Sequence, residues 1–224
     1  MATSGTYAYR PDVDELIVEA YERAGIDPQQ LTGYQAKLAR RSMNLMFAEW
    51  STRGINYWTT AETTLSLVAG TSTYALAAGT VDILSAVARR SSIDTVMARM
   101  SLTDYNSLPN KTTEGLPTQF FFDRQYTPQI KLWQVPENST DTIVYWTLMQ
   151  IEDITGSDQD ADIPYRWLDA MCAGLALRIY TKTPSFDAVR LAELKQQAAD
   201  SFDHAATDEN ERATLKIVPT SALL

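Results

Sequence analysis

The chain has 224 residues, of which 45% are hydrophobic and 21% are charged, and this balance excludes an intrinsically disordered protein. Its formal net charge of −9 disfavours tight binding to a nucleic-acid backbone, which requires clustered cations that release counterions. A single cysteine, Cys172, excludes an intrachain disulfide, and no apolar run approaches the roughly 20 residues that cross a bilayer. We therefore expect a protein without a secretory signal that matures in a reducing cytoplasm.

Two helices joined by a short loop are predicted at the start of the chain. Asp12 is placed to cap the first helix, and Gly25 is placed to end it. The second helix begins after Thr32, which has capping-box spacing with Gln35, and it ends at Gly54. Two successive helices with so short a connection indicate an antiparallel hairpin.

The second helix has a wide apolar surface. Placed at about 100° per residue, its apolar side chains cover more than half the helix circumference. They are Tyr34, Leu38, Ala39, Met43, Leu45, Met46, Phe47 and Trp50. Such a helix requires cover on two or three sides, from the rest of the chain or from further copies of it. The polar stripe that remains is interpreted as a subunit-facing or partner-facing edge, not a DNA site: Lys37, Arg40, Arg41 and Asn44.

After Trp58 the hydrophobic period changes from helical to alternating, which predicts a central β region. The predicted strands are residues 64–68, 74–76, 81–89, 118–123, 129–135 and 142–148. Ser101 has N-cap spacing for one short helix, and residues 110–117 (NKTTEGLP) have the composition of a loop. Short strands with short connections favour an antiparallel sheet or a small barrel.

The C-terminal third of the chain is predicted to return to helix. An acidic loop, residues 151–162, leads to an apolar helix with Pro164 in its first turn. Gly174 in the middle of that helix indicates a close backbone approach by a neighbouring helix. Pro184 is placed to open the last helix. Beyond Arg212 the sequence is extended and apolar, and no local element covers Leu215, Ile217, Val218, Leu223 and Leu224.

These elements predict an α+β protein. Its mainly helical body is expected to be an antiparallel bundle of the N- and C-terminal segments, with a central antiparallel β insertion and extended terminal arms. The predicted boundaries are 1–54 for the N-terminal helical hairpin, 55–154 for the β-rich insertion, 155–213 for the C-terminal helices and 214–224 for the C-terminal arm.

The sequence offers few residues for chemistry, and we predict no enzymatic activity, cofactor or metal. The one histidine, His204, lies among aspartates and is interpreted as part of a solvated helix face. The aspartates of residues 158–162 (DQDAD) alternate as in a calcium loop, but the glycine and the final glutamate of such a loop are missing. Glu49 lies on the apolar surface of the second helix, where an ion pair with Arg53 is the favoured explanation.

Several segments resemble, in the same order, the head-to-tail adaptor proteins of short-tailed bacteriophages. Members of that family are called tail accessory factor, tail tubular protein A or head completion protein. The resemblance covers about residues 12–212 and rests on EAYERAGIDP, LTGYQAKLARRSMNLMFAEWSTRGINYW, DYNSLPNKTTEGLP, FFDRQ, LWxVP and DIPYRW. It implies a dodecameric ring that docks beneath the portal, extends the DNA channel and receives the tail nozzle and fibres.

On this resemblance the chain is expected to be a structural protein of the virion neck, assembled in the host cytoplasm without membrane contact. DNA passes through the ring during genome ejection and is not bound specifically. The portal is expected to bind the C-terminal arm. Two other functions remain open: a muralytic hydrolase using residues 158–162, and a DNA-binding module using the polar stripe with Arg89 and Arg90.

Overall fold

The computed structural model describes residues 5–7, 9–54, 57–156, 158–183 and 187–209. This part of the chain is α+β. Its helices are α1 (Val13–Arg23), α2 (Gly33–Arg53), α3 (Leu102–Ser107), α4 (Leu168–Tyr180) and α5 (Ala188–Glu209). Its strands are β1 (Thr60–Ser66), β2 (Thr73–Ala75), β3 (Thr80–Arg90), β4 (Ile93–Val96), β5 (Ala98–Met100), β6 (Glu114–Gly115), β7 (Gln119–Asp123), β8 (Gln129–Trp133), β9 (Val135–Pro136) and β10 (Thr142–Met149).

The predicted ends of α1 and α2 are confirmed. The Asp12 carboxylate accepts a hydrogen bond from the Glu15 backbone N–H at 2.8 Å. The Thr32 hydroxyl accepts from the Gln35 backbone N–H, and the Gln35 side chain accepts from the Thr32 N–H, which completes a capping box. Gly54 follows α2 with a φ of 69°, a left-handed conformation that glycine adopts without steric cost.

The described chain covers α2 on one side and leaves another side open. The buried apolar side chains of α2 are Ala39, Met43, Met46, Phe47 and Trp50. Tyr34 and Leu45, by contrast, are 71% and 57% exposed. The cover that the sequence predicts on two or three sides is therefore incomplete within these residues.

Helix α4 contacts α1, α2 and α5. The fully buried Trp167, just before α4, lies with its ring centroid 5.1 Å from Trp50 of α2 and 5.5 Å from Phe202 of α5. Trp58 packs on the same ring at 5.4 Å. Aromatic pairs of this kind contribute about 0.5–1.5 kcal/mol beyond the burial of area. The cluster joins three helices to the segment that leads into the β region.

Helix α2 contacts α4 at Gly174, but through a side chain and not through its backbone as predicted, and the start of α4 also differs from the prediction. A Cβ atom at Gly174 would lie 2.8 Å from Met46 Sδ of α2. Pro164 has a ψ of 153° and lies outside the helix, because its carbonyl accepts the N–H that closes a 3-10 turn, Tyr165–Trp167. Pro184 is not among the described residues, so its role at the start of α5 stays a prediction.

The β region forms two four-stranded sheets and one two-stranded pair. The first sheet has the order β1-β10-β3-β4, and its neighbouring strands are antiparallel. The second sheet has the order β2-β8-β7-β5. A hydrophobic cluster separate from that of the helices contains Ile83 and Ile143 from the first sheet and Phe120 and Ile130 from the second.

The prediction of an antiparallel β region needs one correction. Strand β5 pairs with β7 in parallel, and β6 pairs with β9 in parallel. A parallel pair requires a long connection between its strands, and α3 lies within the connection from β5 to β7. Hydrophobic alternation marks a strand but does not give its direction, so the sequence pattern could not show this pairing.

Strands β4 and β5 are not visible in the sequence pattern. A tight turn precedes β4, since Ser91 and Ser92 have φ values of 50° and 65°, as in hairpin turns. All four side chains of β4 are exposed, however, and β5 is only three residues long. Neither strand therefore shows the alternation of buried and exposed positions from which strands are predicted.

Candidate interaction surfaces

The acidic loop of residues 151–162 is held to α2 and to the start of the β region. Asn44 Nδ2 donates to the Ile154 carbonyl, and the Ile154 N–H donates to Asn44 Oδ1, both at 3.0 Å. The Trp58 indole N–H donates to the Asp162 carbonyl at 3.0 Å. These bonds satisfy polar groups that are partly buried, so the loop fastens elements that are far apart in the sequence.

The acidic side chains of this loop do not gather around a common point. Asp160 forms an isolated antiparallel bridge with Asp12 through the backbone. The Asp162 carboxylate accepts the Glu152 N–H at 3.3 Å, and Asp158 is exposed. Within the described ranges, no three His, Cys, Asp or Glu side chains are grouped so that they could hold a metal ion.

The surroundings of three other potentially reactive residues are consistent with structural roles. His204 is exposed on α5, and no described nucleophile is hydrogen-bonded to it. The Glu49 carboxylate pairs with Arg53, as predicted, and also with Arg178 of α4, which the sequence does not indicate. Burial raises the pKa of the Cys172 thiol to about 11, so its nucleophilic thiolate is scarce near neutral pH.

The polar stripe of α2 divides into one residue used within the chain and three that are not paired there. Asn44 is bonded to the acidic loop, as described above. Lys37 and Arg41 are exposed, and Arg40 is partly buried. None of the ion pairs formed among the described residues includes these three cations. The predicted role of the stripe as a subunit edge stays a prediction.

Lys182 extends this positive surface to the end of α4. Its Nζ donates to the hydroxyl of the buried Ser42 on α2. The pKa of Lys182 is lowered, first by burial and then by the positive charges of Arg41 and Arg178. Arg41 and Arg178 contribute to this lowering because like charges disfavour the protonated amine, so both lie near enough to Lys182 to act on it.

The loop between α3 and β7 is tied to the second sheet. The Trp133 indole N–H donates to the Asn110 carbonyl at 3.1 Å, and the Val135 N–H donates to the Thr113 carbonyl at 2.9 Å. The Lys111 ammonium lies 5.2 Å from the centroid of the Tyr105 ring. The segment predicted as a loop therefore includes ordered pairing, through β6 and β9.

The predicted portal-binding arm lies outside the described residues: Leu215, Ile217, Val218, Leu223 and Leu224. Its assignment stays a prediction from the sequence. In the part of the chain that the structure describes, no helix combines the length and the apolar character that crossing a bilayer requires.

Exposed apolar side chains beside exposed charges, as on α2, are features of surfaces that contact other proteins. Residues 11–219 match the family described as SU10 adaptor protein. The chain belongs to this family of phage head-to-tail adaptors, which is structural and not known for enzymatic activity. The resemblance found in the sequence is thereby confirmed. No curated protein matches the chain.

Proposed function

We propose that the protein is a head-to-tail adaptor that forms a dodecameric ring below the portal of a phage virion. The ring extends the DNA channel and anchors the tail nozzle and fibres. The observation that carries this proposal is the family match, because it spans residues 11–219 and so includes both the helical body and the β region. The chain is assembled in the host cytoplasm and resides in the virion neck.

The two separate hydrophobic clusters support different functions for the helical part and the β region of the chain. In this proposal residues 1–54 and 155–213 build an antiparallel helical bundle that contacts neighbouring subunits and the portal. Residues 55–154 form a β-rich unit that meets the next tail component. The open face of α2 supports a role in contacts between chains, since it presents the exposed Tyr34 and Leu45 on either side of its cations.

The net charge of −9 supports a channel function. A wall with an acidic balance repels the DNA phosphates and so lets the genome pass without arrest. The C-terminal arm, residues 214–224, is proposed to bind the portal. Burial of its five large apolar side chains yields about 1.5–3 kcal/mol each, against an ordering cost of about 1–2 kcal/mol per residue. Single arms then bind weakly, and a ring of arms binds strongly.

The proposal is tested by capture of the chain on immobilised cognate portal. We expect the full chain to be retained by the portal and to recruit the nozzle in a second step. The control is a portal from an unrelated phage, which should retain neither. A chain that is folded by circular dichroism and yet not retained by its own portal would contradict the adaptor function.

A further inference from the structure

One face of α2 combines positive charge with exposed apolar side chains. At about 100° per residue, Tyr34, Lys37, Arg41 and Leu45 lie within a sector of about 80°, with Arg40 beside Lys37. These five residues are called the basic face. Tyr34 and Leu45 are more than half exposed, at its two ends. The face is thus a row of cations between two apolar contacts.

The outward side of α1 carries the opposite charge. Asp14, Glu15 and Glu22 lie within a sector of about 100° that also contains Val18, which is 39% exposed. These four residues are called the acidic face. The remaining glutamate of α1, Glu19, lies outside this sector and forms an ion pair with Arg23 at the end of the helix.

Neither face is neutralised by the described part of its own chain. The ion pairs formed there use none of the three cations of the basic face and none of the three carboxylates of the acidic face. On the basic side, Lys182 adds a further cation close to Arg41. The pKa of Lys182 is lowered first by burial and then by the positive charges of Arg41 and Arg178. Both faces therefore retain charge that a partner of opposite sign can satisfy.

We propose that the basic face of one copy of this chain binds the acidic face of a second copy. This inference rests on the proposed function and names the partner surface of the polar stripe. The two faces carry the same number of charges and are similar in length. The basic face extends about 16 Å along α2 and the acidic face about 12 Å along α1, at about 1.5 Å per residue.

The net charge of the chain favours a second copy as the partner that binds the basic face. Two copies that each carry a net charge of −9 repel one another in most orientations, and contact through the basic face reverses that repulsion locally. Because the two faces belong to different helices, the contact is heterologous and repeats in one direction from copy to copy. Repetition of this kind closes into a ring when the rotation between copies permits.

Charge exchange tests the inference. One variant combines Lys37→Glu with Arg41→Glu, and a second combines Asp14→Lys with Glu22→Lys. A third carries all four substitutions and keeps the net charge of −9. The matched control, Glu62→Lys with Lys195→Glu, exchanges exposed charges away from both faces.

Circular dichroism establishes whether each variant is folded. The single substitutions Arg41→Glu and Glu22→Lys replace any double variant that does not fold. Self-association is measured by sedimentation velocity from low to high salt, with the chain alone and on the portal.

We expect each double variant to raise the concentration for half-assembly by about tenfold or more, since attraction between exposed charges becomes repulsion. The four-fold variant, and an equal mixture of the two double variants, should assemble as the wild type does, and rising salt should weaken all of these assemblies. Failure of both rescues, or a wild type that does not self-associate in either setting, would overturn the inference. A wild type that binds the portal as separate copies, without contact between them, overturns the inference and leaves the adaptor function intact. A wild type that does not bind the portal at all contradicts the proposed function.

Discussion

At the scale of single residues, Asn44 joins α2 to the acidic loop through both atoms of its side-chain amide. Replacement by alanine would leave the N–H and the carbonyl of Ile154 without partners in a partly buried place. We expect Asn44→Ala to lower the free energy of unfolding by about 1–3 kcal/mol, the cost of unsatisfied buried polar groups. Chemical denaturation of the full chain measures this change.

Lys37 provides the matched control, because it is exposed on the same helix and pairs with no described acid. Lys37→Ala should change the free energy of unfolding by less than about 0.5 kcal/mol. If Asn44→Ala were as harmless as Lys37→Ala, the role of Asn44 within the chain would be refuted, and its predicted place in the subunit edge would gain weight.

Gly174 and Met46 make a second test at this scale. Alanine usually stabilises a helix interior by about 1 kcal/mol relative to glycine. At Gly174 the added Cβ would lie 2.8 Å from Met46 Sδ, so part or all of this gain is lost to overpacking. We expect Gly174→Ala to stabilise by about 1 kcal/mol only in a Met46→Ala background. Equal effects in both backgrounds, measured as a double-mutant cycle, would show that the two residues are not coupled.

At the scale of elements, the sequence predicts well those boundaries that are set by residues close together in the chain. The capping box of Thr32 and Gln35 and the left-handed Gly54 act within a few residues, so the bounds of α2 could be predicted closely. The parallel pairing of β5 with β7 depends on where the chain returns after α3, and no local pattern contains that information. Strand β4 was missed because all of its side chains are exposed.

The loop between α3 and β7 is where the β region is proposed to meet the next tail component. Deletion of residues 111–115 would remove β6 and its pairing with β9, so a deletion cannot separate binding from folding. Lys111→Glu leaves the backbone in place and costs at most about 1 kcal/mol from the lost contact with Tyr105. We expect Lys111→Glu to weaken nozzle attachment while retention on the portal is unchanged.

Capture on the portal followed by addition of nozzle measures both steps in one experiment. Lys195→Glu, an exposed reversal on α5, is the control and should leave nozzle attachment as it is in the wild type. If Lys111→Glu were no longer retained by the portal, the proposal that this loop contacts the nozzle would be contradicted.

At the scale of the whole molecule, the sequence revealed the components of the charged surface but not how they come together. The cations of α2 were recognised from their narrow stripe. The proximity of Arg41 to Lys182 and the bond from Arg178 to Glu49 depend on how α4 packs on α2, so spacing along the sequence could not show them. The amide of Asn44, which the sequence places in the same stripe, is bonded to Ile154, and this contact between residues remote in sequence could not be predicted either.

The C-terminal arm makes a prediction at this scale. Truncation after Arg212 removes Leu215, Ile217, Val218, Leu223 and Leu224, which the account assigns to the portal. We expect a folded protein whose thermal midpoint is nearly unchanged and which the portal no longer retains, because the binding energy of many arms is lost together. A truncated chain that binds the portal with full affinity would refute the arm mechanism and leave the family assignment intact.

The central claim is that the chain docks on the portal as a ring. The most direct measurement is the mass of the complex formed when excess chain is mixed with the purified cognate portal, determined by sedimentation velocity. We expect a single larger species that contains the portal and a dodecamer of 25.0 kDa chains. Portal and chain that sediment independently, or a complex that holds only one or two chains, would contradict the claim.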